Sequence, residues 1–361
     1  MPFSLSVLLH PGTEECALLE VKEILNIKGK MGQAFITFPC SRKEEIIKYL
    51  AHAQLPKRIL LSLGFFAKAE DVHLPEFSWE NIFSSGNSYG LELEHLHDAE
   101  LRQSLAQKIG KELVTAVQKN CGYTPKFTFK KPDVLFILHH TGKEFVLGID
   151  LSGEMQKRGY RIFTHHASFT GDLGYFLVRK SEFALGEKLL VGWVKDGTLA
   201  IEAALFANAL PVHKEPFACQ KFPLFKDFSF EIKSLQKQSE VKVFSFDVSL
   251  QNITAARKNA KLAGAYELID FQKYSLEELD VKYGEAAFER IIFHLTVKDE
   301  PKLNELYYQM KYILKQNGTV LLITRKQLDL PVPEGFALIS VEELIRGESV
   351  QKVWVMRKGQ S

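Results

Sequence analysis

Residues 148–161 read Gly-Ile-Asp-Leu-Ser-Gly-Glu-Met-Gln-Lys-Arg-Gly-Tyr-Arg, an apolar strand end followed by a short basic segment. This stretch separates two different sequence patterns. Before it, short strands and helices predict small α+β units. From residue 171 onward, helices and strands alternate. We therefore expect a chain of α/β and α+β class whose architecture changes close to this junction.

The first 70 residues follow the order strand, helix, strand, helix, strand. Apolar residues that alternate or recur at helical spacing predict strands at 3–10, 34–38 and 58–66 and helices at 13–25 and 41–50. This order favours a small ferredoxin-like module.

A second small unit follows a connector at residues 74–87 that is rich in Phe, Trp, Ser and Gly. Its helix carries leucines, an isoleucine and a valine at helical spacing. The predicted elements are a strand at 89–95, the helix at 98–120, and strands at 133–139 and 144–151. We expect this α+β unit to end near residue 154.

The remainder of the chain alternates helices with strands, which implies a mostly parallel sheet covered by helices on both faces. Strands are predicted at 188–192, 242–247, 268–271, 290–295 and 319–324, and helices at 198–208, 251–263 and 301–315.

Composition excludes several classes of protein. The chain has 361 residues and a mass of 41.1 kDa, which predicts two or three domains. A net charge of +2 excludes a histone-like polycation, so any nucleic-acid site has to be a local patch. We expect no membrane span and no signal peptide, because no apolar run is long enough and the first residues lack a basic segment. The four cysteines form no CxxC pair, so we expect reduced thiols, no metal site and a cytoplasmic location.

A basic segment lies between residues 126 and 180, where nine Lys and Arg face five acids. Such cations contact phosphates, and rings between them stack on unpaired bases. The candidate RNA-binding residues are Lys126, Lys130, Lys131, Arg158, Tyr160, Arg161 and His165. Composition alone equally allows a solvated charged face with Phe127 and Phe129 in the core.

The stretch at 148–161 resembles the junction between the THUMP domain and the catalytic domain of the THUMP-domain RNA methyltransferases. These enzymes methylate the exocyclic amine of a guanine in tRNA or large-subunit rRNA. The resemblance implies a ferredoxin-like domain at 1–70, a THUMP domain at 71–155, a linker at 156–170 and a Rossmann-like methyltransferase domain at 171–361. It also implies RNA, foremost tRNA, as the partner, and S-adenosylmethionine (SAM) as the cofactor if the protein is active.

The first cofactor motif departs from the family. There, the turn after the first strand reads approximately Asp-Pro-(Phe/Met)-Cys-Gly-Ser-Gly-Thr, whereas residues 191–198 read Val-Gly-Trp-Val-Lys-Asp-Gly-Thr. Gly197 and Thr198 match and are the expected cofactor contacts. Lys195 replaces the first glycine. It could pair with the cofactor's carboxylate, but we favour the hypothesis that it fills the pocket.

The later motifs are kept in part. Asp247 stands at the end of the second strand, where the family's acid binds the ribose hydroxyls. Ser275 replaces the acid that holds adenine. In the catalytic tetrapeptide Asn-Pro-Pro-Tyr, His294 replaces Asn, Thr296 replaces the second Pro, and Val297 replaces the ring that stacks on the target base.

Three motifs have changed while the helices and apolar strands between them persist. We therefore expect an RNA-binding protein whose methyltransferase-like domain is non-catalytic and serves as a scaffold, an RNA platform or the surface for a protein partner. The alternative is an active guanine-N2 methyltransferase that uses Asp247, Ser275 and His294. A third reading is a relic of the fold with weak binding only.

Overall fold

A computed structural model of the protein describes residues 3–213, 216–226, 228, 242–347 and 349–359. Contacts divide them into two compact units. The first contains the described residues of 3–156 and 213–228. The second contains those of 157–212 and 242–359. None of the described helices combines the length and the apolar character that a membrane span requires.

The first unit is built on one eight-stranded sheet in the order β2-β3-β1-β4-β8-β7-β5-β6. Three helices, α1 to α3, complete it. In chain order, the elements are β1 (Phe3–Leu8), α1 (Glu14–Leu25), β2 (Lys30–Met31), β3 (Phe35–Cys40), α2 (Lys43–His52), β4 (Arg58–Phe66), β5 (Ser88–Glu94), α3 (Ala99–Cys121), β6 (Lys126–Phe127), β7 (Val134–His140) and β8 (Phe145–Asp150).

Strand β4 joins the two predicted small modules, because it pairs with β1 on one side and with β8 on the other. Leu61 lies opposite Leu5 of β1 and Ile149 of β8, and all three are buried. One sheet therefore runs through residues 1–70 and 71–155, and the border between a ferredoxin-like and a THUMP domain stays a prediction.

A later segment of the chain also packs on the first unit. The backbone N–H of His213 donates to the carbonyl of Ala51, and that of Cys219 donates to the carbonyl of Leu151. The predicted domain at 171–361 included this segment, but its backbone hydrogen bonds place it here. All four cysteines are free, and Cys40 and Cys219 are buried.

The second unit is a seven-stranded sheet in the order β11-β10-β9-β12-β13-β15-β14. Its elements are α4 (Gly171–Lys180), β9 (Leu189–Gly192), α5 (Thr198–Ala207), β10 (Val243–Phe246), α6 (Leu250–Ala263), β11 (Ile269–Gln272), α7 (Leu279–Tyr283), β12 (Phe288–His294), α8 (Leu303–Ile313), β13 (Leu314–Arg325), β14 (Phe336–Arg346) and β15 (Ser349–Lys358). Strands β9 to β13 are parallel, and β15 runs antiparallel to both β13 and β14. The predicted Rossmann-like sheet is confirmed.

The centre of this sheet is close-packed around Phe293 of β12. A Cβ added to Gly192 would lie 2.0 Å from the Phe293 ring, so only glycine fits at the end of β9. Phe293 also contacts Trp193 and Phe246 edge-on, with ring centroids 5.1 and 6.1 Å away. This packing fixes the ends of β9, β10 and β12 against one another.

Candidate cofactor crevice and RNA interface

The strand order reverses at β9, which has β10 on one side and β12 on the other. In open α/β sheets, ligands bind outside the carboxyl ends of the strands at such a point. Four predicted site residues follow these strands here: Gly197 and Thr198 after β9, Asp247 after β10, and His294 at the end of β12. The structure therefore brings them to one edge of the sheet.

The loop after β9 carries Lys195 into this crevice. Trp193, Lys195 and Gly197 all have left-handed backbones, with φ of 50°, 54° and 86°. The Lys195 ammonium is buried, and its Nζ donates to the carbonyl oxygen of His294 at 3.0 Å. Burial lowers the pKa of Lys195 to about 7, although Asp299 and Asp247 favour the charged form. The Lys195 side chain thus reaches from the loop after β9 to the end of β12.

The Asp247 carboxylate accepts hydrogen bonds from three residues near it in the second unit. One carboxylate oxygen, Oδ2, accepts from the Lys195 backbone N–H at 3.2 Å and from Asn252 Nδ2 at 2.9 Å. The other, Oδ1, accepts from the Ser249 N–H at 2.9 Å. Only 3% of the residue is exposed. A ribose would have to displace these contacts.

Gly197 and Thr198, which match the family motif, also contact other residues of the second unit. A Cβ on Gly197 would lie 2.9 Å from the Ala256 Cβ, so this glycine allows close packing of the loop on α6. Thr198 donates through its N–H and its hydroxyl to Asp196 Oδ1, at 3.1 and 2.8 Å.

Asp196 is a residue that the sequence interpretation missed. Besides binding Thr198, its Oδ2 accepts from Arg161 Nη2 and from the His165 N–H, both at 3.3 Å. The buried carboxylate therefore fastens the segment at 161–165 to the loop. The signal was present in the sequence, because an acid stands where the family has serine.

His294 is covered by aromatic and cationic side chains. Its ring lies 4.7 Å from that of Phe169, and the Arg346 guanidinium sits 5.3 Å from the Phe169 centroid. Arg346 also donates to the carbonyls of His166 and Ser168, at 2.6 and 2.8 Å. Burial, followed by the charge of Lys195, holds the pKa of His294 well below its ordinary value. The imidazole is therefore neutral and enclosed.

The last two predicted site residues cap short turns. Thr296 donates through its N–H and its hydroxyl to Asp299 Oδ2, at 2.8 and 2.7 Å. The Ser275 N–H donates to Glu278 Oε2 at 2.7 Å, at the start of the turn that begins with Leu276. Both contacts are local.

The predicted RNA-binding residues separate into two groups. The first is a surface that we call the basic turn (residues 126–131), in which Lys126, Lys130 and Lys131 are exposed. Their side chains have no ion pair within the described part of the chain. Phe129 is 89% exposed and meets the Phe127 ring edge-on at 4.6 Å. The two rings border a groove of about 990 Å³ between α3 and β5.

The second group lies in the second unit, and there the structure corrects the prediction. The Arg158 side chain is fully buried, with Nε 2.7 Å from Glu202 Oε1. The Tyr160 hydroxyl donates to the same oxygen at 2.6 Å. These residues of the predicted linker are interior residues and cannot contact RNA. Arg161 is bound to Asp196, and His165 is half-buried against His166.

Comparisons with known proteins agree with this fold. Residues 158–332 match the family model of the RMKL-like methyltransferase domain. The tRNA (guanine(6)-N2)-methyltransferase of Archaeoglobus fulgidus is 22% identical over 88% of this chain and 81% of its own length. A possible methylase from Clostridium difficile 630 has a TM-score of 0.74 at 19% identity, covering 100% of this chain and 99% of its own. SMU.472, solved in complex with S-adenosylhomocysteine (SAH), has a TM-score of 0.72 at 16% identity, with 100% and 99% coverage.

The matched range contains the loop after β9, the acid after β10 and the end of β12, where the sequence analysis placed the cofactor and catalytic motifs. The recognition made from the sequence is thereby confirmed. Residues 158–332 therefore match the RMKL-like methyltransferase domain family, and over 88% of its length the chain is similar to a tRNA guanine-N2 methyltransferase.

Proposed function

We propose that this protein binds RNA, foremost tRNA, through a THUMP-type first unit, and that its methyltransferase-like unit transfers no methyl group. The contact that carries the proposal is the hydrogen bond from the Lys195 ammonium to the His294 carbonyl. It joins the loop that should cradle SAM to the strand end that should present the target base. Lys195 thus lies where both would have to enter.

The catalytic strand end supports the same conclusion. Transfer to a guanine amine needs acceptors that hold the nitrogen and a ring that stacks on the base. His294 is 5% exposed and its ring lies against Phe169, so a base could reach the unpaired Nδ1 of that ring only if Phe169 moved away. Val297, at the position of the ring, is 63% exposed and offers no aromatic face.

The basic turn supports RNA binding. Three exposed lysines without ion pairs in the described residues can neutralise phosphates and release counterions. Phe129 presents a free ring face beside them, on which an unpaired base can stack. A cytoplasmic location suits this function, and the second unit is left to act as a scaffold or to bind a protein partner.

The second candidate is an active SAM-dependent guanine-N2 methyltransferase. The position of Asp247 at the end of β10 favours it, as do the curated relative and the SAH-bound neighbour. In this case Lys195 would have to leave the His294 carbonyl, and Asp247 would exchange Asn252 for the ribose.

Calorimetry with SAM and SAH, with and without bulk tRNA, distinguishes the two candidates. We expect no saturable heat for either nucleoside in a folded sample that retains tRNA. Saturable binding to the unaltered protein, followed by methyl transfer to guanine, would establish the active enzyme instead.

A pair of variants tests whether Lys195 is the obstacle. Lys195→Gly removes the side chain and suits the left-handed backbone, so it should gain measurable SAM binding. The matched control is Lys298→Gly, at an exposed lysine in the loop after β12, which should bind no more SAM than the unaltered protein.

A further inference from the structure

Three side chains with metal-ligating atoms meet in the first unit, outside the basic turn. Glu94 ends β5, His95 follows it, and His139 lies directly opposite Glu94 on the parallel strand β7. Their candidate ligand atoms all lie within 4.8 Å of one another. The chain separates Glu94 from His139 by 45 residues, which is why the sequence pointed to no metal site.

The three side chains are oriented toward a common point. His139 is buried, and its Nδ1 lies 2.9 Å from Glu94 Oε2. The His95 ring meets the His139 ring edge-on, with centroids 5.0 Å apart. His95 has a left-handed backbone with φ of 56°, a conformation that is uncommon for a residue other than glycine.

The surroundings favour a cation. Arg58 forms ion pairs with four carboxylates, which belong to Asp150, Glu92, Glu94 and Glu154. Lys57 lines the adjoining cavity together with Glu94 and His95. Four carboxylates gathered around one guanidinium attract a further cation to this part of the first unit. The cavity has a volume of about 330 Å³.

We propose that Glu94, His95 and His139 bind a divalent transition-metal ion of the zinc class. Two imidazoles and one carboxylate form a donor set that suits zinc, and three protein ligands leave a fourth position open. Water or a small anionic ligand can occupy that position, and Glu94 and His95 line a cavity with room for one. Metal–ligand bonds of roughly 2.0–2.2 Å place tetrahedral ligand atoms about 3.4 Å apart. On binding, the hydrogen-bonded Glu94–His139 pair at 2.9 Å therefore opens slightly to admit the ion, and the longer separations of up to 4.8 Å shorten.

The experiment uses the full-length protein after removal of metal with a chelator. Zn²⁺ is titrated by calorimetry, and Co²⁺ is followed by its visible absorption, which reports a four-coordinate nitrogen and oxygen environment. The test variant is His95→Asn, because His95 is exposed and Asn tolerates the left-handed backbone. The matched control is His97→Asn, an exposed histidine two residues further along the chain.

We expect one equivalent of Zn²⁺ on the unaltered protein and on His97→Asn, and an affinity lower by about 100-fold or more on His95→Asn. Loss of an outer-shell partner alone typically lowers metal affinity by about 10–100-fold, and His95 is a direct ligand. Equal affinity of His95→Asn and the unaltered protein would overturn the proposal, as would no binding to either. A second variant, Glu94→Gln, should lose the Co²⁺ spectrum while circular dichroism shows an intact fold.

Discussion

Lys195→Met should remove a pH dependence from the stability of the second unit. In the unfolded chain, this lysine has its ordinary pKa near 10.5, and burial in the crevice lowers the pKa to about 7. Between these values the unfolded state holds a proton that the folded state has released, so the free energy of unfolding rises with pH. Below pH 7 both states hold the proton, and Lys195 contributes no slope.

The size of the effect follows from the two pKa values. From about pH 7.5 to about pH 9.5, the depressed pKa of Lys195 adds about 2–3 kcal/mol to the free energy of unfolding. The methionine variant lacks this increase, and because it has no proton to release on folding it should also be the more stable protein at the lower of the two pH values. The window lies above the range in which the buried His294 titrates.

Urea unfolding at the two pH values measures the difference. Trp193 and Trp354 report the second unit, and Trp79 of the first unit is replaced by Phe in every protein compared. Lys298→Met, at an exposed lysine, is the control and should keep the slope of the unaltered protein. The same increase with pH in Lys195→Met and in the unaltered protein would refute the reasoning, since it would mean that the ammonium is solvated.

Three further predictions concern the basic turn and the buried ion pair between Arg158 and Glu202. Replacement of the three lysines of the basic turn by Gln should weaken tRNA binding. It should also lower the slope of log affinity against log salt concentration by about 2, at roughly 0.7 per phosphate contact. Filter binding over a salt series measures both effects, and the control protein has the exposed lysines at 22, 28 and 30 changed to Gln. Phe129→Ala should weaken binding of single-stranded RNA by about 1–3 kcal/mol per stacked base and leave the thermal midpoint unchanged; a lower midpoint would indicate a packing role instead. Glu202→Gln removes the carboxylate charge that pairs with the buried Arg158 guanidinium and should lower the free energy of unfolding by about 3 kcal/mol. Urea titration measures that loss. The control Glu267→Gln, at an exposed acid, should show no loss. A loss below about 1 kcal/mol in Glu202→Gln would contradict the buried ion pair.

Much of the fold follows from the sequence because apolar periodicity is local. The strand predicted at 58–66 has the bounds of β4, and the helix predicted at 98–120 is shifted by one residue in α3. Helix α4 was missed because it is only ten residues long and contains two glycines, Gly171 and Gly174, which disfavour a helix. Strands β14 and β15 were missed as well, because most residues of β14 are exposed and do not alternate between apolar and polar.

The site was predictable in position but not in its contacts. The sequence placed Asp247 and His294 at strand ends, which the parallel sheet brings to one edge. It could not show that Arg158 finds Glu202 44 residues away, so a buried ion pair was interpreted as a phosphate contact. For the same reason, the sequence could not show that His95 and His139 are in contact. Partners that are distant in the chain leave no local pattern.

The altered cofactor motifs form one connected arrangement. The backbone N–H of Lys195 donates to Asp247 and its ammonium donates to the His294 carbonyl, so one residue contacts both the ribose acid and the catalytic strand end. Restoring asparagine at His294 would leave the ammonium in place, because the carbonyl that holds it belongs to the backbone. Removing the Lys195 side chain releases that carbonyl and opens the space beside Asp247. If any single substitution restores a SAM site, it is therefore Lys195→Gly.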